Sequence, residues 1–488
     1  MNESRTISAA VLATAKLIAS LATFGATFLL VRLLSKQDFA TYHQTLLAPS
    51  IVIPIVSFGI PIALLKLLSH KDTSQRSLFI GATSILFASA LCAAAGFAYG
   101  GNRAIAKWFN NPGLEHTLQW VAPFLLAQMM IPAVVNALVA TKRSTLAATL
   151  TLTLRLSIAC AAVMGALWTT SYIGPVLCIF ALSGLIAVLA PLYVARLLNP
   201  ASEGSKRTVG VLELFRVGLP LALASASGLL HRQLDKLVVS SIASPVEYAT
   251  YAVAARELPL VDILSSSSST VAIPDLSRLL DAGRTSEVLH IWHRMCRGIA
   301  ALLLPSFVYL FTVSESFVQT LYTTEYAEAL LPFRLYLCIL PARVAIYNTL
   351  FVASGKSHLT IIRMMIALVL NLILTLVLTS WIGYIGATIA TVAVVYGFSI
   401  PFSIFHIARI LDVKPQEALP YGPIAVEGFK ALLIPVMVIP LFLLPMAEEF
   451  VFLLTMIPFS IFMVLNNRDL AQRIHHKLRG QKYIRKAA

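Results

Sequence analysis

Fourteen separate apolar runs, each long enough to cross about 30 Å of hydrocarbon, limit what this 488-residue chain can become. They lie near residues 6–31, 43–68, 78–99, 118–140, 146–168, 173–195 and 211–242. The rest lie near 248–273, 289–313, 330–353, 359–382, 386–410, 428–446 and 450–465. A helix satisfies its own backbone polar groups in lipid, whereas a barrel would need alternating segments of about ten residues. No such alternation is seen, so the expectation is an all-α, polytopic helical bundle. Only 12% of residues are charged, against roughly a quarter in soluble domains. The first run contains Lys16 and lacks a small-residue cleavage site, so it reads as a retained span rather than a signal peptide.

Alternate connections fall on alternate sides, and basic residues collect in cytoplasmic ones. One side receives 26 of the 37 Lys and Arg residues, the other only Arg32, Lys36, Arg103 and Lys107, and seven lie inside spans. Both termini are therefore expected in the cytoplasm. The count also removes the net charge of +15 as a sign of nucleic-acid binding, because the excess is spread over inner connections. The one concentrated stretch, RDLAQRIHHKLRGQKYIRK near the C-terminus, suits anionic membrane lipid at about 1 kcal/mol per basic group.

The chain repeats itself. SKQDFATY at Ser35–Tyr42 returns as SPVEYATY at Ser244–Tyr251, VATKRSTL at Val139–Leu146 as VASGKSHL at Val352–Leu359, and Tyr172-Ile173-Gly174 as Tyr384-Ile385-Gly386. The offsets are 209, 213 and 212, which argues for duplication. Each copy holds six spans, an even number, so both enter the membrane from the same side, as in transporters built from parallel repeats around a central site. The expected organisation is an N-terminal six-helix lobe over 1–200 and a C-terminal lobe over 209–415, two pseudo-symmetric halves. Two extra helices over 427–466 and a basic cytoplasmic tail over 467–488 follow.

The motifs VRLLSKQDFATY, SFGIPIALLKLLSHKD and GLLHRQLDKLVVSSIASPVEYATYAVAAREL, with VAIPDLSRLL, GKSHL and IGYIGATIATV, resemble the polysaccharide transporter family of Wzx-like oligosaccharide flippases. That family belongs to the multidrug/oligosaccharidyl-lipid/polysaccharide (MOP) superfamily, with the MATE transporters and the MurJ-like lipid II flippases. The resemblance runs roughly from Ser8 to Leu411, although Ala40 and Ala249 stand where family members commonly carry Gly. It implies a fourteen-helix, two-lobed fold that moves a polyprenyl-pyrophosphate-linked glycan, such as an O-antigen or exopolysaccharide unit, from the inner to the outer leaflet. It also implies a place in the bacterial inner membrane, with membrane lipids and glycan polymerase machinery as partners.

Ten ionisable residues fall inside spans: Lys16, Arg155, Arg232, Lys236, Arg256, Arg334, Arg343, Asp235, Glu257 and Asp262. Each would cost about 2.5–3.5 kcal/mol facing lipid near a helix centre, so they are expected to face one another, water or a ligand. The seven bases are candidate substrate-binding residues, since a net positive interior suits a pyrophosphate. Arg155 and Arg334 could equally snorkel to a membrane surface. Asp235 and Arg256 lie equally far from the turn at Ser244-Pro245-Val246 and are a candidate ion pair. Asp235, as a counter-ion, and Glu257 and Asp262 are candidate residues for coupling to a proton or sodium gradient.

The remaining chemistry is sparse. Five widely spaced cysteines lie within spans and show no metal-ligand spacing, so neither a disulfide nor a metal site is expected. Histidines are scattered, no catalytic residue or phosphate loop stands out, and outer connections are short, so no enzyme and no cofactor are expected. Five serines, Ser265–Ser269, make either a packed, slightly bent helix or a hydroxyl-lined wall. The other readings are a lipid II flippase, a MATE-type cation or drug exporter, which should carry an acidic cavity instead, and a polytopic glycan polymerase or ligase.

Overall fold

The computed structural model describes residues 2–69, 74–198, 210–256, 259–446 and 448–468, all helix and connection with no strand among them. Twelve helices are long and apolar enough to cross a membrane. Two of the fourteen expected spans fall outside that number. The first is described as an apolar helix only from Ile18 to Leu33, and the eighth is divided into two shorter helices. Long rows of exposed apolar side chains, such as Leu185, Leu189 and Leu192 or Ile366, Val369 and Ile373, are what a lipid-facing surface requires.

The chain divides into two compact units. The first comprises Met1–Val253 and Met364–Ala390. It holds α1 (Asn2–Leu33), α2 (Lys36–Val56), α3 (Ile60–Leu67), α4 (Gln75–Gly96), α5 (Asn102–Trp108), α6 (Gly113–Gln119), α7 (Ala122–Ala140), α8 (Ser144–Thr169) and α9 (Ile173–Leu197). It also holds α10 (Val211–Ile242) and most of α11 (Pro245–Ala254). α1 runs along α8, α7 packs on α8 and α9, and α10 lies on α2 and α3.

The echoed octapeptide is a helix start. Ser35 caps α2, its hydroxyl accepting from the Asp38 amide at 3.1 Å and donating to the Asp38 carboxylate at 2.6 Å. Ser244 and Glu247 repeat the arrangement before α11, the Ser244 amide and hydroxyl donating to the Glu247 carboxylate at 2.8 and 2.7 Å. Ser244 and Glu247 form a full capping box, Ser35 and Asp38 its serine-to-amide half, and both satisfy amides a helix start leaves open. The following residues, Phe39-Ala40-Thr41-Tyr42 and Tyr248-Ala249-Thr250-Tyr251, are all buried, so the phrase encodes both where a helix begins and what it packs against.

The second repeat is a turn. Lys142 (φ 61°) and Gly355 (φ 70°) both adopt the left-handed conformation. Arg143 N–H donates to Leu138 at 2.8 Å, and Lys356 N–H to Phe351 at 2.9 Å, closing the two helices in the same way. Glycines at the third repeat permit close backbone approach: a Cβ on Gly174 would meet the Gly165 carbonyl, and one on Gly386 the Leu378 carbonyl.

α2 and α3 are separated where Phe58 and Gly59 take positive φ, and Pro61 opens α3, a position where its missing N–H costs nothing. Pro49 and Pro54 lie inside α2. At the break, Gly59 crosses Gly218 of α10 backbone to backbone, and Phe58 meets Phe215 edge to face at 5.2 Å. Nearer the other end, Asn111 Nδ2 donates to Thr41 and Gln44, and Gln44 Nε2 donates to Ser240, at 2.7–2.9 Å. His43 Nδ1 lies 2.6 Å from the Tyr248 hydroxyl.

The second unit comprises Ala254–Arg363 and Thr391–Ala488. It contains α12 (Pro259–Asp281), α13 (Thr285–Thr312), α14 (Ser314–Tyr322), α15 (Leu330–Leu337) and α16 (Tyr347–Ala353). α17 (His358–Ile382) and α18 (Ile385–Val394) have parts in both units, and α19 (Ile400–Leu411), α20 (Tyr421–Ala431), α21 (Leu433–Val438) and α22 (Glu448–Asn466) complete it. Buried Trp292, Phe351, Leu276 and Ile407 form its core, and Trp292 Nε1 donates to the Ala418 carbonyl at 2.9 Å. α20 packs on α13, and α22 on α14.

The tenth span is discontinuous. A tight turn at Pro341–Val344 and extended Ala345 interrupt it between α15 and α16. Such breaks at membrane depth require other donors for the freed carbonyls. The Tyr396 hydroxyl supplies one, donating to the Cys338 carbonyl at 2.7 Å.

Candidate functional site

The break in the tenth span places Arg343 beside a recess of about 30 Å³ whose lining also includes Arg256, Val261, Phe333, Tyr336 and Leu340. Two guanidinium-bearing side chains and no carboxylate line it among the described residues. At about 10–15 Å³ of such space for one water the recess has room for about two, so the state seen here is too narrow for a pyrophosphate.

Arg363, on α17, extends the positive region. Its guanidinium donates to Asn348 Oδ1 at 2.8 Å and Ser403 Oγ at 3.1 Å, and it lies within electrostatic reach of Arg343. Neutral partners fix the guanidinium in place without cancelling its charge, and a second arginine adds to it. Such a pair attracts an oxyanion, which can accept two N–H bonds from each planar fork. Arg363 is among the 26 basic residues counted on the cytoplasmic side, although it stands four residues inside the apolar run beginning at Leu359. That position was the available signal.

The other expected residues are distributed. Arg334 donates through Nε to Ser314 Oγ at 2.7 Å and lies over the Phe311 ring at 5.8 Å, which anchors α15 to the end of α13 and the start of α14. In the first unit Asp235 is buried, accepts from the Tyr251 hydroxyl at 2.8 Å, and lies 4.0 Å from the Lys236 ammonium. Arg232, one turn earlier on α10, is exposed, as is Arg155 on α8. Asp235 belongs to the first unit and Arg256 to the second. Lys16 lies in α1 and Asp262 in α12, but their side chains, and all of Glu257, are outside the described residues. Of the serine run, Ser269 is hydrogen-bonded to Thr349 of α16 at 2.7 Å.

The five cysteines are free thiols. No group of His, Cys, Asp and Glu suited to a metal occurs among the described residues. A second acid that sequence reasoning passed over is Glu427 on α20, which is buried and bridges Lys430 at 3.0 Å, Arg297 at 3.5 Å and Asn466 at 3.1 Å.

Residues 7–280 match the model of a family described as polysaccharide biosynthesis protein. No curated protein matches the chain. Among solved structures, the lipid II flippase MurJ in an inward closed conformation superposes with a TM-score of 0.72 at 15% identity, covering 93% of this chain and 99% of MurJ. An inward-facing MATE multidrug resistance transporter of the MOP superfamily gives 0.56 at 12% identity, with 82% and 99% covered. A MOP superfamily transporter from Pyrococcus furiosus, in which reverse polarity of the binding pocket suggests a different function, gives 0.51 at 13% identity, with 83% and 96% covered. The fold is thus that of MurJ and the MATE transporters.

Proposed function

Since this chain belongs to the polysaccharide biosynthesis protein family, we propose that it is a flippase. It carries a polyprenyl-pyrophosphate-linked oligosaccharide, such as an O-antigen or exopolysaccharide unit, from the inner to the outer leaflet of the bacterial cytoplasmic membrane. Both termini are cytoplasmic in this reading, and glycan polymerase machinery receives the product.

One observation carries the reading. Arg343 and Arg363 lie within electrostatic reach of each other beside a broken span, Arg363 is held by the neutral side chains of Asn348 and Ser403, and Arg256 shares the recess of Arg343. Ionisable groups at membrane depth are functional by default, and guanidinium forks are the groups best shaped to take a phosphate. A pyrophosphate accepts hydrogen bonds from these guanidinium groups when the recess widens, while its prenyl chain stays in lipid. Lys16, Arg155, Arg232 and Lys236 are further proposed substrate-binding residues, and Arg334 fixes the helix that carries Tyr336. Asp235, Glu257 and Asp262 are the proposed groups for proton or sodium coupling. A MATE-type exporter of cations would place acids where these arginines stand.

The test is surface-glycan export in cells whose own copy is replaced by Arg256→Gln, Arg343→Gln or Arg363→Gln. Export should fall at least tenfold for each, with the variant present in the membrane at the parental level. Normal export by all three ends the proposal. A lipid II flippase would instead support growth when the cell's lipid II flippase is depleted, and lose that ability in the same variants.

A further inference from the structure

The connection after α4 forms a second, larger and polar cavity, remote in sequence from the arginines. Helix α4 does not end in an ordinary cap. It widens into a wide turn at Phe97–Gly101, where Tyr99 leaves helical geometry (φ −93°, ψ 35°) and Gly100 takes φ 124°. This conformation is open to glycine and strained for any other residue. The bend throws Tyr99 outward, 92% exposed, at the rim of a cavity of about 340 Å³ bounded by α5 and α6.

The floor of this cup is built firmly. Asn102 is buried, donates through Nδ2 to the Glu115 carbonyl at 3.0 Å and accepts from the Arg103 amide at 2.9 Å. Arg103 Nε donates to Glu115 Oε1 at 2.8 Å. Both side chains line the cavity and are open to solvent, Arg103 78% and Glu115 42% exposed, so guanidinium donors and a carboxylate acceptor stand side by side at its edge. Gln119 adds an amide with both capacities. Adjacent donors and acceptors that are fixed to each other match vicinal hydroxyls, each of which donates and accepts. The Tyr99 ring offers a flat apolar face to the C–H side of a pyranose. One Arg and one Glu leave the lining neutral, which suits an uncharged saccharide rather than a phosphate or a cation. The volume lies within the ~300–1,000 Å³ of small-molecule sites.

We propose that this cup is a binding subsite for a neutral saccharide, on the end of the bundle that the Lys and Arg count assigns to the outside. The subsite stands independently of the transported substrate, because none of the arginines of the second unit contributes to it.

The experiment applies purified full-length protein in lipid nanodiscs to an array of neutral and charged mono- to tetrasaccharides. Tyr99→Ala, Tyr99→Phe, Gln119→Ala and Arg363→Gln are run in parallel, and each preparation is checked for monodisperse elution. The proposal expects retention of one or more neutral glycans, reduced at least tenfold in Tyr99→Ala and Gln119→Ala. Retention should persist in Tyr99→Phe, which keeps the ring, and in Arg363→Gln. Three results overturn it: no neutral glycan retained by the parent protein, retention unchanged in Tyr99→Ala and Gln119→Ala, or retention lost only in Arg363→Gln. The last would place glycan binding at the arginine site instead.

Discussion

The Tyr251 hydroxyl donates to the Asp235 carboxylate across 2.8 Å, joining α11 to α10 where both side chains are buried. A buried carboxylate that loses a donor bears a desolvation penalty of about 1–3 kcal/mol. Tyr251→Phe should therefore lower the unfolding temperature in detergent. The same substitution made on Asp235→Asn should lower it much less, because a neutral amide suffers less from the missing bond. Equal losses in the two backgrounds would show that the ring, not the hydrogen bond, is what matters at Tyr251.

Arg363 separates the contribution of charge from that of geometry. Lysine keeps the charge but is a single ammonium point that cannot reproduce the planar fork spanning Asn348 and Ser403. Glycan export by Arg363→Lys should fall between the parent and Arg363→Gln, with unfolding temperature close to the parent's. Export by Arg363→Lys equal to the parent would mean that positive charge alone suffices, and the two neutral partners would lose their assigned role.

What could be read directly from the residues was whatever repeats or has a length. Apolar runs gave twelve of the fourteen expected spans, and the echoed Ser35–Tyr42 and Ser244–Tyr251 marked two helix starts, each capped by its serine. Lys142 and Gly355 share one turn although their side chains differ, so only the surrounding residues revealed the match. Breaks were harder. Proline marked the division of α2 from α3, but the interruption at Pro341–Val344 lies within a run that reads as one continuous apolar span. Depth near a membrane surface was the other obstacle. Arg363 and Glu427 stand within a few residues of polar connections, where a linear count cannot tell a solvated side chain from one turned inward. Partners distant in the chain, Ser403 for Arg363 and Asn466 for Glu427, decide the matter.

Glu427 tests the attachment of the thirteenth span. Its carboxylate is 2% exposed and meets Lys430, Arg297 and Asn466. Removing one member of a fully buried ionic group costs about 3–5 kcal/mol. Arg297 and Lys430 are each partly exposed here, and solvent screening reduces the figure to about 1–3 kcal/mol. Glu427→Ala should lower thermal stability and increase proteolysis between α19 and α20, while Glu427→Gln, which keeps the bond to Asn466, should do less. If Glu427→Ala unfolds at the parental temperature, the cluster is incidental to how α20 is held on α13.

The crossing of Gly59 and Gly218 makes the sharpest packing prediction. A Cβ on Gly218 would strike the Phe58 carbonyl, and one on Gly59 would strike the Gly218 carbonyl, backbone against backbone with no flexible side chain to move aside. Gly59 also holds φ 65°, which disfavours any other residue. Overpacking of this kind costs about 1–3 kcal/mol, so Gly218→Ala should lower the unfolding temperature and Gly59→Ala should lower it further. The control is Gly81→Ala in α4, where a Cβ meets nothing within 4 Å and alanine should stabilise the helix by about 0.5–1 kcal/mol. Should Gly218→Ala behave like Gly81→Ala, α3 and α10 do not meet this closely in the protein.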